Sequence, residues 1–241
     1  MPEPATPDEL LRAALARDPS RPFVTYYDDA TGERVELSVA TFANWVAKTA
    51  GLLQEGLSVA PGDRVALLMP AHWQALVWAS ACWAVGAVVA EGASAEVAVA
   101  VAGPSTVETA LKSPEVVALS LRPLGGRFTT PLPVGVLDYA LEVPSYPDRF
   151  VSMAAPGPDD AGWGDVALGA LVAEAQHRAG ELGLSESARV LVATDELGTA
   201  LRDALLLPLV IGGSAVLVRH EDSPGRAARL QAERVTAAVA S

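Results

Sequence analysis

Positive charge is what this sequence has least of. Against 29 Asp and Glu it carries 17 Lys and Arg, only Lys48 and Lys112 among them lysines, leaving a net charge of −12 over 241 residues. Such a surface repels a phosphate backbone and an anionic bilayer, so nucleic-acid binding and membrane docking are excluded as functions. A single cysteine, Cys82, forms no internal disulfide. His72, His177 and His220 lie too far apart in sequence to form a zinc motif. The expected compartment is the cytoplasm, and no metal or cofactor is expected. A basic, apolar leader is also missing, because Glu3, Asp8 and Glu9 precede any hydrophobic run. Residues 70–90 carry no formal charge, yet Pro70, His72, Gln74, Ser80 and Gly86 interrupt them and no basic residue flanks them closely. They read as a buried helix running into a buried strand rather than a membrane span. What the chain does have is apolar content, 51% of residues with a mean hydropathy of +0.29, enough to bury a core.

Hydrophobic period separates the elements. Leu10, Leu11, Ala14 and Leu15 stripe a helix over 8–17, and 23–27 with 33–37 form a hairpin across a polar turn. Ser38 caps a helix striped by Phe42, Trp45, Val46, Thr49 and Leu53, with Lys48 outward and Gly56 as its stop. Strand 64–69, helix 72–85 and strand 87–90 make a strand–helix–strand unit of parallel type. Further strands are expected at 97–102 and 116–121, around a short helix at 106–112. The Pro- and Gly-rich stretch 144–164 reads as a long connection. Asp165 then caps a helix to Leu182, with Leu182 inward and Arg178 outward. Strand 189–194, helix 196–207, the Gly212-Gly213 break, strand 215–219, helix 225–233 and strand 234–240 complete the chain.

The halves resemble one another. Gly56-Leu57-Ser58 and Gly183-Leu184-Ser185 lie 127 positions apart, and Gly86 and Gly213 keep that offset. The expected fold is α/β, two pseudo-equivalent lobes of mostly parallel sheet flanked by helices. Lobe one would span 1–143 and lobe two 165–241. Ligands in such sheets gather beyond the carboxyl ends of strands. That criterion selects His72, Trp73, Glu91, Thr194 and Asp195. On one reading His72 or Glu91 transfers protons and Thr194 donates a hydrogen bond; on the other these side chains cap helices and face water. No catalytic residue is assigned, because no Ser has a Gly-x-Ser-x-Gly setting, and Gly125-Gly126 and Gly212-Gly213 lack a Gly-Lys-Ser/Thr sequel. Trp73, Trp78 and Trp83 fall five apart and read as core.

Glu36-Leu-Ser-Val-Ala-Thr-Phe-Ala-Asn44 followed by Gly56-Leu-Ser-Val-Ala-Pro-Gly-Asp-Arg-Val-Ala-Leu-Leu-Met-Pro70 resembles the opening of the AMP-forming adenylation superfamily. Acyl-CoA synthetases, peptide-synthetase adenylation domains and luciferases belong to it. Trp83-Ala-Val-Gly-Ala-Val-Val-Ala90 is similar to that superfamily's second motif, without its Lys and following Pro. Residues 184–218 and 224–241 resemble later segments, so the likeness covers most of the chain and the N-terminal half of the large domain. It is close to a small actinobacterial family of stand-alone, adenylation-like proteins.

The resemblance implies one truncated adenylation-like domain, ending before the adenine, ribose and hinge motifs and the small domain with the catalytic lysine. Adenylation also needs a hydroxyl- and glycine-rich loop ending in Pro-Lys-Gly to hold triphosphate charge. Where that loop belongs, residues 150–165 supply Ser152 as the one hydroxyl, and Asp159, Asp160 and Asp165. The expected function is therefore a non-catalytic adenylation-like protein acting through association with a protein partner or as a homo-oligomer, or as a structural or regulatory module. The alternative is a module that binds an adenylate, acyl chain or other small molecule, or a ligase fragment completed by a partner.

Overall fold

The computed structural model describes residues 4–239; the expected strand's last residue, Ala240, and the acidic Glu3 lie outside them. In chain order the elements are α1 (Pro7–Arg17), β1 (Pro22–Asp28), β2 (Glu33–Ser38), α2 (Val39–Gly51) with a π-helical turn (Leu52–Gly56), β3 (Arg64–Leu68), α3 (Trp73–Val85), β4 (Val88–Ala90) and β5 (Val99–Ala102). Next come α4 (Val107–Ala110), β6 (Glu115–Ala118), β7 (Val136–Asp138), α5 (Tyr139–Glu142), β8 (Ala161–Trp163), β9 (Val166–Ala167) and α6 (Leu168–Glu181). The chain closes with β10 (Arg189–Ala193), α7 (Leu197–Thr199), a second π-helical turn (Ala200–Leu206), α8 (Leu207–Val210), β11 (Ser214–Arg219), α9 (Arg226–Ala232) and β12 (Ala237–Val239).

Local chemistry sets most boundaries. Thr6 and Glu9 form a capping box at the start of α1. The Ser38 hydroxyl accepts from the Thr41 amide at 3.1 Å. Gly86 (φ 81°) turns the chain between α3 and β4, where a side chain would be strained. In the second half the left-handed residue is Gly212 (φ 61°), while buried Gly213 packs too closely on the Ala188 carbonyl to carry a Cβ. Leu207 N–H bonds Arg202 O, five residues back, and Pro208, which has no N–H to give, follows at once.

Two compact units result. Unit 1 holds Met1–Phe42, Pro70–Leu76 and Ala170–Ser241; unit 2 holds Ala43–Met69 and Val77–Gly169. The sheet of unit 1 runs β12-β10-β11-β1-β2 and that of unit 2 runs β7-β6-β5-β3-β4-β8-β9. Within the second order, β5-β3-β4-β8-β9 repeats the first strand for strand. Each has parallel partners on both sides of its β10 or β3, a parallel hairpin strand beside β11 or β4, and an antiparallel edge. The hairpin that opens each half of the sequence thus pairs with the strand–helix–strand of the other half. The units therefore interleave along the chain instead of meeting at 144–164. A strand edge left free by one repeat is filled by whichever hairpin reaches it, which no local pattern encodes.

Other expectations shift for local reasons. The stretch read as connection contains β8 and β9, so Asp165 sits in their turn and does not cap α6. α6 ends at Glu181, which leaves Leu182 beyond its last turn and 40% exposed. Arg178 and Lys48, expected outward, are about three-quarters buried and paired, Arg178 with Asp203 and Lys48 with Asp148 and the Tyr146 carbonyl. Trp73, Trp78 and Trp83 are buried, with Trp78 against Tyr139 and the Trp83 indole N–H on Gly162 O at 2.9 Å. No helix among the described residues is long and apolar enough to cross a membrane.

Candidate functional site

In unit 1 the parallel strands β1, β10 and β11 finish side by side, with Asp28 in register with Arg219 and Ala193 with Val218. The segment Pro70–Leu76 joins this end, where the Ala71 amide donates to Asp195 O at 3.0 Å. His72, Trp73, Thr194 and Asp195 are thereby brought into one unit, whereas Glu91 belongs to unit 2, exposed after β4.

The His72 ring is 1% exposed, edge-on to Tyr26 at 4.6 Å between centroids and tilted against Trp73. Its Nδ1 accepts from the Gln74 amide at 3.2 Å, which puts the ring proton on Nε2. Burial above all, with the Arg219 charge second, lowers its pKa to about 3. The ring is neutral at physiological pH and does not face water, so its position is that of a fixed hydrogen-bond donor. The Thr194 hydroxyl accepts from the Glu196 amide at 3.1 Å, a turn-closing bond. The Asp195 carboxylate accepts from the His220 amide at 3.2 Å and lies 3.4 Å from Arg219 Nε.

Around these residues the strand ends supply five that sequence reading missed. The Asp28 carboxylate meets His220 Nδ1 at 2.8 Å and Arg219 at 3.6 Å. His220 has φ 50°, a strained setting for a side chain of its size. Tyr26 lies two residues before Asp28 on the same face of β1, fully buried, its hydroxyl without a well-formed hydrogen bond. Burial foremost, and the Asp28 charge next, raise its pKa. Glu33, opposite Asp28 in β2, is 7% exposed and also unbonded through Oε1. The Asp-Asp ending β1 and the Arg-His ending β11 were the available signal, but only the parallel pairing of strands some 190 residues apart joins them.

Burial and then Asp28 raise the Glu33 pKa. The native state consequently holds that proton more tightly than the unfolded chain, and stability falls as pH rises from the ordinary carboxyl range through the raised value. Glu33→Gln removes this loss. Thermal unfolding at neutral pH is expected to show a Tm a few degrees above that of the parent, with the two converging in acid.

In unit 2, residues 150–165 hold their own polar groups. The Asp160 carboxylate accepts from the Gly157 amide at 2.8 Å, and the Ser152 hydroxyl donates to Ala154 O at 2.7 Å. Asp159 and Asp165 are exposed beside them. A segment whose amide is taken by a carboxylate, with two more carboxylates adjacent, opposes triphosphate. Among the described residues no group of three or more His, Cys, Asp and Glu is arranged to hold a metal ion.

Residues 11–92 match the AMP-binding enzyme family. The fold is shared with the N-terminal domain of FACL13 from Mycobacterium tuberculosis, at 17% identity and a TM-score of 0.77, over 98% of this chain and 62% of that one. It is shared too with a Brucella canis acyl-CoA synthetase, at 15% identity and a TM-score of 0.77, over 97% and 46%. A fatty acyl CoA synthetase of M. tuberculosis gives 16% identity and a TM-score of 0.72, over 97% and 49%. This chain therefore spans less than two thirds of each of those structures. A TIGR03089 family protein of M. tuberculosis is 40% identical over 236 residues, covering 95% of this chain and 94% of that protein. The chain accordingly belongs to the TIGR03089 family, and its α/β fold is shared with the N-terminal domain of FACL13.

Proposed function

We propose that this protein is a cytoplasmic, non-catalytic relative of the adenylating enzymes, working through association with a protein partner or a second copy of itself. The carrying observation is the Asp160 carboxylate on the Gly157 amide, in a segment with no cation to grip a triphosphate. Association is supported by the same segment of unit 2. Gln54 ties it down through Val151 O at 3.4 Å and the Met153 amide at 3.0 Å, while the Val151 and Met153 side chains are 83% and 74% exposed. Two apolar side chains held out to water on a tied backbone are available for burial against a partner. Incubated with ATP, magnesium and a panel of carboxylic acids, the protein is expected to exchange no labelled pyrophosphate above a buffer control. Exchange with any acid overturns the reading. Light scattering is expected to give more than one chain per particle, reduced to one by Val151→Asp with Met153→Asp.

A second reading, that unit 1 takes a small molecule, is favoured by the unbonded buried atoms Tyr26 Oη, His72 Nε2 and Glu33 Oε1. Buried polar groups are otherwise almost always bonded.

A further inference from the structure

We infer that the Asp28 end of unit 1 binds a small primary amine carrying a hydroxyl, with the Glu33 carboxylate as counter-charge to its ammonium. The inference rests on the second reading above, that this unit takes a small molecule.

Four carboxylates stand at this end, and their partners are unequal: Asp29 is taken by Arg229 and the Asp222 amide. Asp28 is met by His220 and Arg219, and Asp195 by Arg219 and the His220 amide. Glu33 has no basic group within 4.0 Å among the described residues and no hydrogen bond to its Oε1, although it is 7% exposed. An unpaired buried carboxylate is among the costliest groups a fold can hold, and a cation relieves it. An anion is disfavoured, because Arg219 is already shared by Asp28 and Asp195 while Glu33 stands unpaired.

Two further buried groups narrow the class. The Tyr26 oxygen has Arg219 near it but no well-formed hydrogen bond, and its ring lies beside the same carboxylates, where an ammonium gains from the aromatic face. His72 holds its proton on Nε2 with nothing to receive it, so the occupant must also offer an acceptor oxygen. A bare metal ion offers none and would meet that N–H head on. A primary ammonium with a hydroxyl on a short carbon link offers a charge to Glu33 and an acceptor to His72.

Calorimetric titration of the full chain with ethanolamine, acetamide and acetate separates the possibilities. Saturable heat with ethanolamine is expected, weakened at least about tenfold by Glu33→Gln and several-fold by Tyr26→Phe. Both variants are expected to retain the parent's circular dichroism, Glu33→Gln because it removes a buried charge without changing shape. Equal ethanolamine binding by Glu33→Gln, or no saturable heat with ethanolamine, overturns the inference. Acetamide binding that Glu33→Gln leaves intact keeps the small-molecule reading while overturning the amine. Silence from all three probes overturns both.

Discussion

Acidification from about pH 7 to about pH 4 is expected to remove ~3 kcal/mol of stability through His72 alone. The sign follows from the direction of its shift. The native ring titrates near 3, whereas the unfolded ring follows the ordinary value of 6.5, so between those values the unfolded chain binds the extra proton. Stability tied to this group is fully present above the unfolded value and is lost progressively as pH falls toward the native one. The cause is local: the ring is wedged on Tyr26 and Trp73, its Nδ1 is occupied by the Gln74 amide, and Arg219 stands near. His72→Asn keeps an acceptor for that amide and cannot titrate. Urea unfolding of parent and variant across this range is expected to show the parent losing that much more stability than the variant. Parallel pH profiles would refute the assignment. If His72 were a proton-transfer group poised near neutrality, its loss would also appear at higher pH.

Asp203→Ala is expected to cost about 3–5 kcal/mol, a large share of the roughly 5–15 kcal/mol that holds a typical domain. Asp203 is fully buried inside the π-helical turn that links α7 to α8. One carboxylate receives two guanidinium groups: Arg178 Nε at 2.5 Å and Nη2 at 3.0 Å, and Arg202 Nε and Nη2 both at 3.1 Å. Truncation strands the three-quarters-buried Arg178 beside an empty volume, so a desolvated charge adds to the lost bonds. Arg202 is 39% exposed and returns to water when freed. Arg202→Gln should therefore cost no more than about 1 kcal/mol. Chemical unfolding of both variants measures the contrast, and equal losses would show that the buried guanidinium is not the source of the effect.

How much of this was legible in the sequence depends on the range of the interaction. The stripe Phe42, Trp45, Val46, Thr49 and Leu53 and the Ser38 cap report on neighbours three or four residues away, and α2 stands where the period puts it. Repetition of Gly-Leu-Ser and of a glycine before each second strand revealed two related halves. The hairpin exchange between those halves was invisible, because β1 beside β11 and β8 beside β4 are choices among free strand edges. Short strands such as β8 and β9 carry too few residues for an alternation to register. The candidate site divides the same way. Topological reasoning about strand ends reached His72, Thr194 and Asp195, while Asp28, Glu33, Arg219 and His220 needed the register of the sheet. His72 itself differs in character from the expectation, since the end of β1 supplies the Tyr26 ring that buries it.

Under the proposed function, this fold persists with the Asp160 carboxylate where a nucleotide's phosphates would need donors. Equilibrium dialysis of the protein against labelled ATP with magnesium, carried into the millimolar range, tests it most directly. No retention above that of an unrelated acidic protein is the predicted result. Saturable retention, abolished by unlabelled ATP and strengthened by Asp160→Asn, would contradict the proposed function.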